Sequence, residues 1–112
     1  MYDSDARYHN NLAAAFAMRK KFDLAIEHFL LALELDPENI EATFNLGNAL
    51  FSSNKIEDAM VQYRKVIALR PEHARAHNNL AVALKQSGHL EEAYKHRFEA
   101  MRLEKTQQGD AR

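Results

Sequence analysis

Residues 45–69 read NLGNALFSSNKIEDAMVQYRKVIAL, two apolar runs separated by the polar turn Ser53-Asn54-Lys55. On each side of that turn apolar residues recur at three- and four-residue steps, the spacing that gathers them on one face of an α-helix. The stretch is therefore a helical hairpin, and it is not alone. Asn45-Leu46 is preceded 34 residues earlier by Asn11-Leu12 and followed 34 residues later by Asn79-Leu80. Ala15, Ala49 and Ala83 keep the same step, as do Ala25, Ala59 and Ala93, and Leu35, Leu69 and Leu103. A unit this short cannot enclose its own apolar face, so the copies must stack on one another to make a core.

Working outward, the breaks predict six helices over 5–18, 22–35, 39–52, 56–69, 73–86 and 90–105, an all-α chain of three A and B pairs. The A-to-B turns fall at residues 19–21, 53–55 and 87–89. Asn54 and Gly88 suit the left-handed conformation that ends a helix, whereas Lys20 does not. Pro37 and Pro71 are expected in first helical turns, with Asp36 capping the helix that Pro37 opens. The alanines on A helices (Ala15, Ala49, Ala83) and on B helices (Ala25, Ala59, Ala93) are expected to let paired axes approach to about 8–10 Å. Large side chains fill the rest: Leu12 and Phe16 against Phe29, Leu46 and Leu50 against Tyr63, Leu80 and Leu84 against Phe98 or its neighbourhood.

Composition narrows the function. The chain has 112 residues, a net charge of −1 from interspersed charges and no Cys, which removes disulfides, thiolate metal sites and thiol nucleophiles. No basic block exists to follow a phosphate backbone, so nucleic acid is not an expected partner. The start, Met1-Tyr2-Asp3-Ser4-Asp5, is acidic where a secretory signal is basic, and the longest apolar runs fall far short of a bilayer. The expected location is the cytoplasm, with no membrane insertion.

These residues resemble the tetratricopeptide repeat over about residues 6–105. Leu12, Ala13, Phe16, Ala25, Phe29, Ala32 and Pro37 fill that family's signature places in the first copy. Leu46, Gly47, Ala59, Tyr63 and Pro71 do so in the second, and Leu80, Ala81, Ala93 and Ala100 in the third. The third copy then departs, with Arg97 in an aromatic place and Lys105 in that of a proline. The resemblance implies one domain over 1–112, a right-handed superhelical solenoid with repeats at about 6–39, 40–73 and 74–107 and a polar tail over 106–112. At its end Lys95, His96, Arg97 and Glu99 are expected to make the last helix its own cap; the alternative is that Tyr94, Phe98 and Met101 meet another copy, a homo-oligomer through the terminal helix.

If A helices line the concave side, as the resemblance implies, helical spacing selects one face. It carries Arg7, Asn10, Asn11, Ala14 and Met18, then Glu41, Phe44, Asn45, Asn48 and Phe51, then Arg75, Asn78, Asn79, Val82 and Gln86. Asn11, Asn45 and Asn79 form a ladder of amides, each able to pair with the N–H and C=O of one peptide unit. Phe44 and Phe51 are the expected apolar anchors, and Arg7 and Arg75 could hold acidic residues at the flanks. The alternative is that the amides only tie neighbouring helices together. Some relatives clamp the terminal carboxylate of chaperone tails with Lys, Asn and Arg; here Asn45 matches and Arg75 stands in for a Lys. Asn10, Ala14 and Asn79 depart, which disfavours that ligand. The ladder is closer to that of the glycosyltransferase superhelix that grips peptides by their backbone.

Catalytic signals are weak. His73 and His77 lie four apart, but a metal site needs a third ligand and supporting hydrogen bonds. The serines sit at helix ends or turns, and no Gly-rich phosphate loop exists. No enzyme activity, metal or cofactor is expected. The reading is an interaction scaffold, an adaptor that holds a peptide segment of a partner protein between its A helices. The alternatives are a structural module that self-assembles through its end faces, and a segment of a longer array.

Overall fold

A computed structural model describes residues 2–109. Among them are six α-helices: α1 (Tyr2–Met18), α2 (Phe22–Leu35), α3 (Ile40–Ser52), α4 (Ile56–Leu69), α5 (Ala74–Gln86) and α6 (Leu90–Gly109). Helices α1 and α2, α3 and α4, and α5 and α6 form three antiparallel pairs, joined by contacts of α2 with α3 and of α4 with α5. The product is an all-α solenoid in which packing runs between neighbours.

The three A-to-B turns share one geometry. Lys20, Asn54 and Gly88 have φ of 61°, 66° and 85°. The next amide in each turn reaches back five residues, Lys21 to Phe16 at 2.9 Å, Lys55 to Leu50 at 2.8 Å and His89 to Leu84 at 2.9 Å. This pattern satisfies carbonyls that a helix end otherwise leaves bare. Lys20 adopts it despite its Cβ, because the surrounding pair dictates the turn.

The inter-repeat turns correct an expectation. Pro37 and Pro71 precede the helices rather than opening them, occupying tight turns closed by Asn39 N to Asp36 O and His73 N to Arg70 O, both 3.1 Å. Proline presets the backbone at that place in such a turn. The cap of α3 is accordingly Asn39, whose Oδ1 accepts from Ala42 N at 2.9 Å, and not Asp36. Thirty-four residues on, His73 does the same with an imidazole: Nδ1 accepts from Ala76 N at 3.0 Å.

The core holds Ala25, Phe29, Leu46, Ala59, Tyr63, Leu80, Leu84 and Ala93. Ala49 and Ala83 are buried, but Ala15 is exposed. That A-helix column faces the preceding repeat, and among the described residues none stands before α1. Phe98 is another correction: it is 70% exposed and no partner for Leu80 and Leu84, because Arg97 stands in the column of Phe29 and Tyr63. At the end of the stack Tyr94, Phe98 and Met101 are exposed beside the polar residues of α6. Helix α6 runs beyond the predicted end, Lys105 standing where Pro37 and Pro71 stop the earlier B helices.

Side-chain ties hold the pairs. His9 meets His28 and His77 meets His96, in matching places of the first and third repeats, with Nδ1 atoms 3.1 and 3.0 Å apart. Arg64 of α4 reaches Glu92 of α6 at 2.6 Å.

Candidate functional site

The A helices touch through side chains 31 residues apart, three less than the repeat length. Asn10 donates from Nδ2 to Glu41 Oε1 at 2.7 Å, and Asn79 donates from Nδ2 to Asn48 Oδ1 at 2.9 Å. At the same spacing the Arg75 guanidinium lies 4.9 Å from the centre of the Phe44 ring, a cation–π contact. These contacts set successive A helices side by side and define which atoms remain for a ligand.

At the middle of the face three polar groups converge. Asn48 Oδ1 also accepts from the Tyr63 hydroxyl at 2.6 Å. The phenol is buried, and desolvation pushes its pKa up to about 12 against a smaller lowering by Asn79, so it stays a donor. With Asn48 Oδ1 accepting two bonds and one N–H of Asn79 Nδ2 spent on one of them, the groups left over are the Asn48 amide N–H pair, the second Asn79 N–H and the Asn79 carbonyl. Both residues line a cleft of about 190 Å³ with Phe51, Ser52, Tyr63 and Val82. A second cleft of about 420 Å³ lies toward the first repeat, with Asn45, Ala14 and Met18 in its wall, and it shares Asn48 and Ser52 with the first.

The structure thus gathers Asn45, Asn48, Asn79 and Phe51 along two adjoining clefts. Asn79 serves the tying role as well, whereas Asn45 has no amide to tie to, because Ala14 occupies the place that Asn48 holds one repeat later. Asn11 and Arg7 are exposed on α1, and Arg75 is exposed above Phe44. Asn78 Oδ1 accepts from the Arg97 guanidinium at 2.6 Å. Two expected residues are not free to bind. Phe44 is only 4% exposed, with its ring centre 4.9 Å from that of His73 and 6.0 Å from that of Tyr63, so it is core and not an anchor. Asn10 is 5% exposed and held by Glu41, with Oδ1 buried and unpartnered.

Sequence reasoning placed Tyr63 in the core and overlooked its hydroxyl. The available signal was a coincidence within one repeat: Tyr63 replaces Phe29 where Asn48 replaces Ala14. The paired histidines His73 and His77 are each committed elsewhere, His73 to the α5 cap and His77 to His96 and to the Pro71 carbonyl at 2.8 Å. Among the described residues no group of three or more His, Asp or Glu is placed to hold a metal ion, and no helix is long and apolar enough to cross a membrane.

Comparison with known proteins agrees with this architecture. Family models described as tetratricopeptide repeat match residues 6–39 and 28–60, and one described as TPR repeat matches 47–88. No curated protein matches. Among solved structures, MamA superposes with a TM-score of 0.89 at 25% identity, over 94% of this chain and 61% of that one. The chain therefore spans less than two thirds of the MamA length. The first TPR of Spaghetti (RPAP3), bound to the HSP90 peptide SRMEEVD, superposes with a TM-score of 0.88 at 24% identity, over 91% of this chain and 81% of that one.

Proposed function

For a chain that belongs to the tetratricopeptide-repeat family, as this one does, we propose that the two A-helix clefts hold an extended segment of a partner protein. The three repeats, about 6–39, 40–73 and 74–107, act as one binding unit. The Asn48 amide and the Asn79 carbonyl take the C=O and N–H of one peptide unit. Asn45 takes the next toward the first repeat, Asn11 extends the amide row at the open end, and Phe51 with Val82 seats an apolar side chain. Arg7, Arg75 and Asn78 border the track. The observation that carries this reading is the double hydrogen bond at Asn48 Oδ1, which fixes both amides in complementary orientation before any ligand arrives.

Magnitudes require the apolar part. A neutral hydrogen bond nets about 0.5–1.5 kcal/mol, and a micromolar complex needs about 8 kcal/mol, so a few amides alone fall short. Burial of an apolar side chain against Phe51 and Val82 adds about 1.5–3 kcal/mol. The terminal-carboxylate mode is not the one proposed: the structure of Spaghetti holds the HSP90 peptide, but Asn10 here is buried against Glu41 and Ala14 offers no polar group. The corresponding cellular role is a cytoplasmic adaptor without catalytic activity.

The test is selection of displayed peptides on the immobilised protein, repeated with Asn45→Ala plus Phe51→Ala. Peptides enriched on the native chain should bind the variant at least about tenfold more weakly, and amidating their C-terminus should change nothing. Equal retention by both proteins removes the groove reading.

A further inference from the structure

The two ends of the stack display the two halves of an internal junction. Within the solenoid, α3 and α5 dock on the preceding repeat through columns that bury Ala42 and Ala76, Leu46 and Leu80, Ala49 and Ala83. On α1 the same columns carry Tyr8, 61% exposed, half-buried Leu12 and exposed Ala15. At the other end, Met60 of α4 is buried at 7%, whereas its repeat-equivalent on α6, Tyr94, is 68% exposed. Among the described residues an A helix follows α4 and none follows α6. The open space beside α6 is a cleft of about 370 Å³ whose walls include Val82, Leu90 and Tyr94.

We propose that a second copy of this chain docks head to tail, its α1 entering the α5–α6 cleft in the register that α5 keeps on α3 and α4. Three observations select this occupant. The first is the shared register itself: Leu12 and Ala15 of α1 stand in the columns of Leu46 and Ala49, and Tyr8, in a column of alanines, meets the open space beside Tyr94. The second is the change at the rim. Inside, Arg64 pairs with Glu92; the columns of those residues carry Phe98 and Leu24 at the two ends, 70% and 40% exposed. A head-to-tail junction sets Phe98 of one copy on Leu24 of the next, apolar against apolar, where the internal junction sets charge against charge. Of the 31-residue contacts one has a polar counterpart there, Arg7 falling at Asn78, whose Oδ1 also accepts from Arg97, while Asn11 falls at Val82. The third is the extension of α6, held to the start of α5 by Gln107, which donates to the Glu72 carbonyl at 3.0 Å. Such a contact joins two different surfaces and can propagate into longer arrays.

The test uses mass by light scattering across a dilution series of the whole chain. Native protein should grow in mass with concentration. Ala15→Arg blocks the leading face and Phe98→Glu the trailing face; both side chains are exposed, and circular dichroism should show unchanged helicity. Each variant alone should lose the concentration dependence and hold the monomer mass, while their equimolar mixture should form a two-copy species and nothing larger. A native chain that stays monomeric overturns the proposal, as does Ala15→Arg associating like the native chain, the outcome of a trailing-face dimer. Leu24→Arg combined with Phe98→Glu in one chain should restore association, now weakened by salt; a monomeric double variant shows that the register is wrong.

Discussion

A methyl group added at Gly47 would stand 2.7 Å from Cε1 of Tyr63, closer than any real carbon contact. The ring and the helix backbone therefore touch directly, and this contact brings the Tyr63 hydroxyl within reach of Asn48. Ala13 and Ala81 hold the same place in the other repeats, opposite Phe29 and Arg97. Gly47→Ala should thus be destabilising, although alanine is the better helix former, by about 1–3 kcal/mol for an overpacked site. Urea titration of both proteins measures this, and a neutral or stabilising result contradicts the packing described for the second repeat.

Lys20 makes the opposite case. It holds φ of 61° in a turn whose equivalents are Asn54 and Gly88, so the native fold carries a strain of about 1–2 kcal/mol there. Lys20→Gly should stabilise the chain by about 0.5–1 kcal/mol once the greater freedom of glycine in the unfolded state is subtracted. A raised melting temperature is the expected reading.

Phe44 and Phe51 separate stability from recognition. Phe44→Ala opens a cavity beside Tyr63 and His73 and should cost about 3–5 kcal/mol. Phe51→Ala removes a half-buried ring from the cleft wall, so melting should change far less while the affinity of selected peptides falls. Equal effects of both on melting argue against this division.

Acid should loosen the third repeat. The Pro71 carbonyl can only accept, so His77 carries its proton on Nε2 and presents a bare Nδ1, to which His96 must donate. A second proton at this contact sets N–H against N–H. Burial holds the pKa of His96 below the ordinary 6.5, helped by His77 and Arg64 and opposed by Glu92. Burial likewise lowers that of His73, whose protonation also removes the α5 cap. Both groups bind protons more readily unfolded, so their contribution is fully present above about pH 6.5 and lost as pH falls below it. Melting curves at descending pH should show the loss, and His73→Asn, which keeps a capping acceptor without titrating, should flatten it.

The sequence made the helices legible because one hydrophobic period ran through three copies, and the turn at Lys20, unsuited on its own, is placed by its equivalents Asn54 and Gly88. Four predicted segments, 22–35, 39–52, 56–69 and 73–86, match the helices to within a residue. What escaped were relations across copies. Ala15 looks like Ala49 in sequence, yet burial depends on a neighbour that only the later copy possesses. Phe44 shares its column with Asn10 and Asn78, a column expected to face a ligand, and became core because His73 and Arg75 close over it. The amides Asn45, Asn48 and Asn79 were found by spacing, whereas the bonds that orient two of them depend on the hydroxyl of Tyr63, on another helix.

Because packing runs almost wholly between adjacent helices, little ties the first pair to the last. Such a molecule behaves as a short chain of coupled links and not as a single block. Either terminal hairpin can fray while the central one, bordered on both sides, keeps its amides shielded from exchange with solvent. The Asn48–Tyr63–Asn79 cluster straddles the central and last hairpins, so a bound segment that grips both would act as a splint, holding together links that otherwise open one at a time.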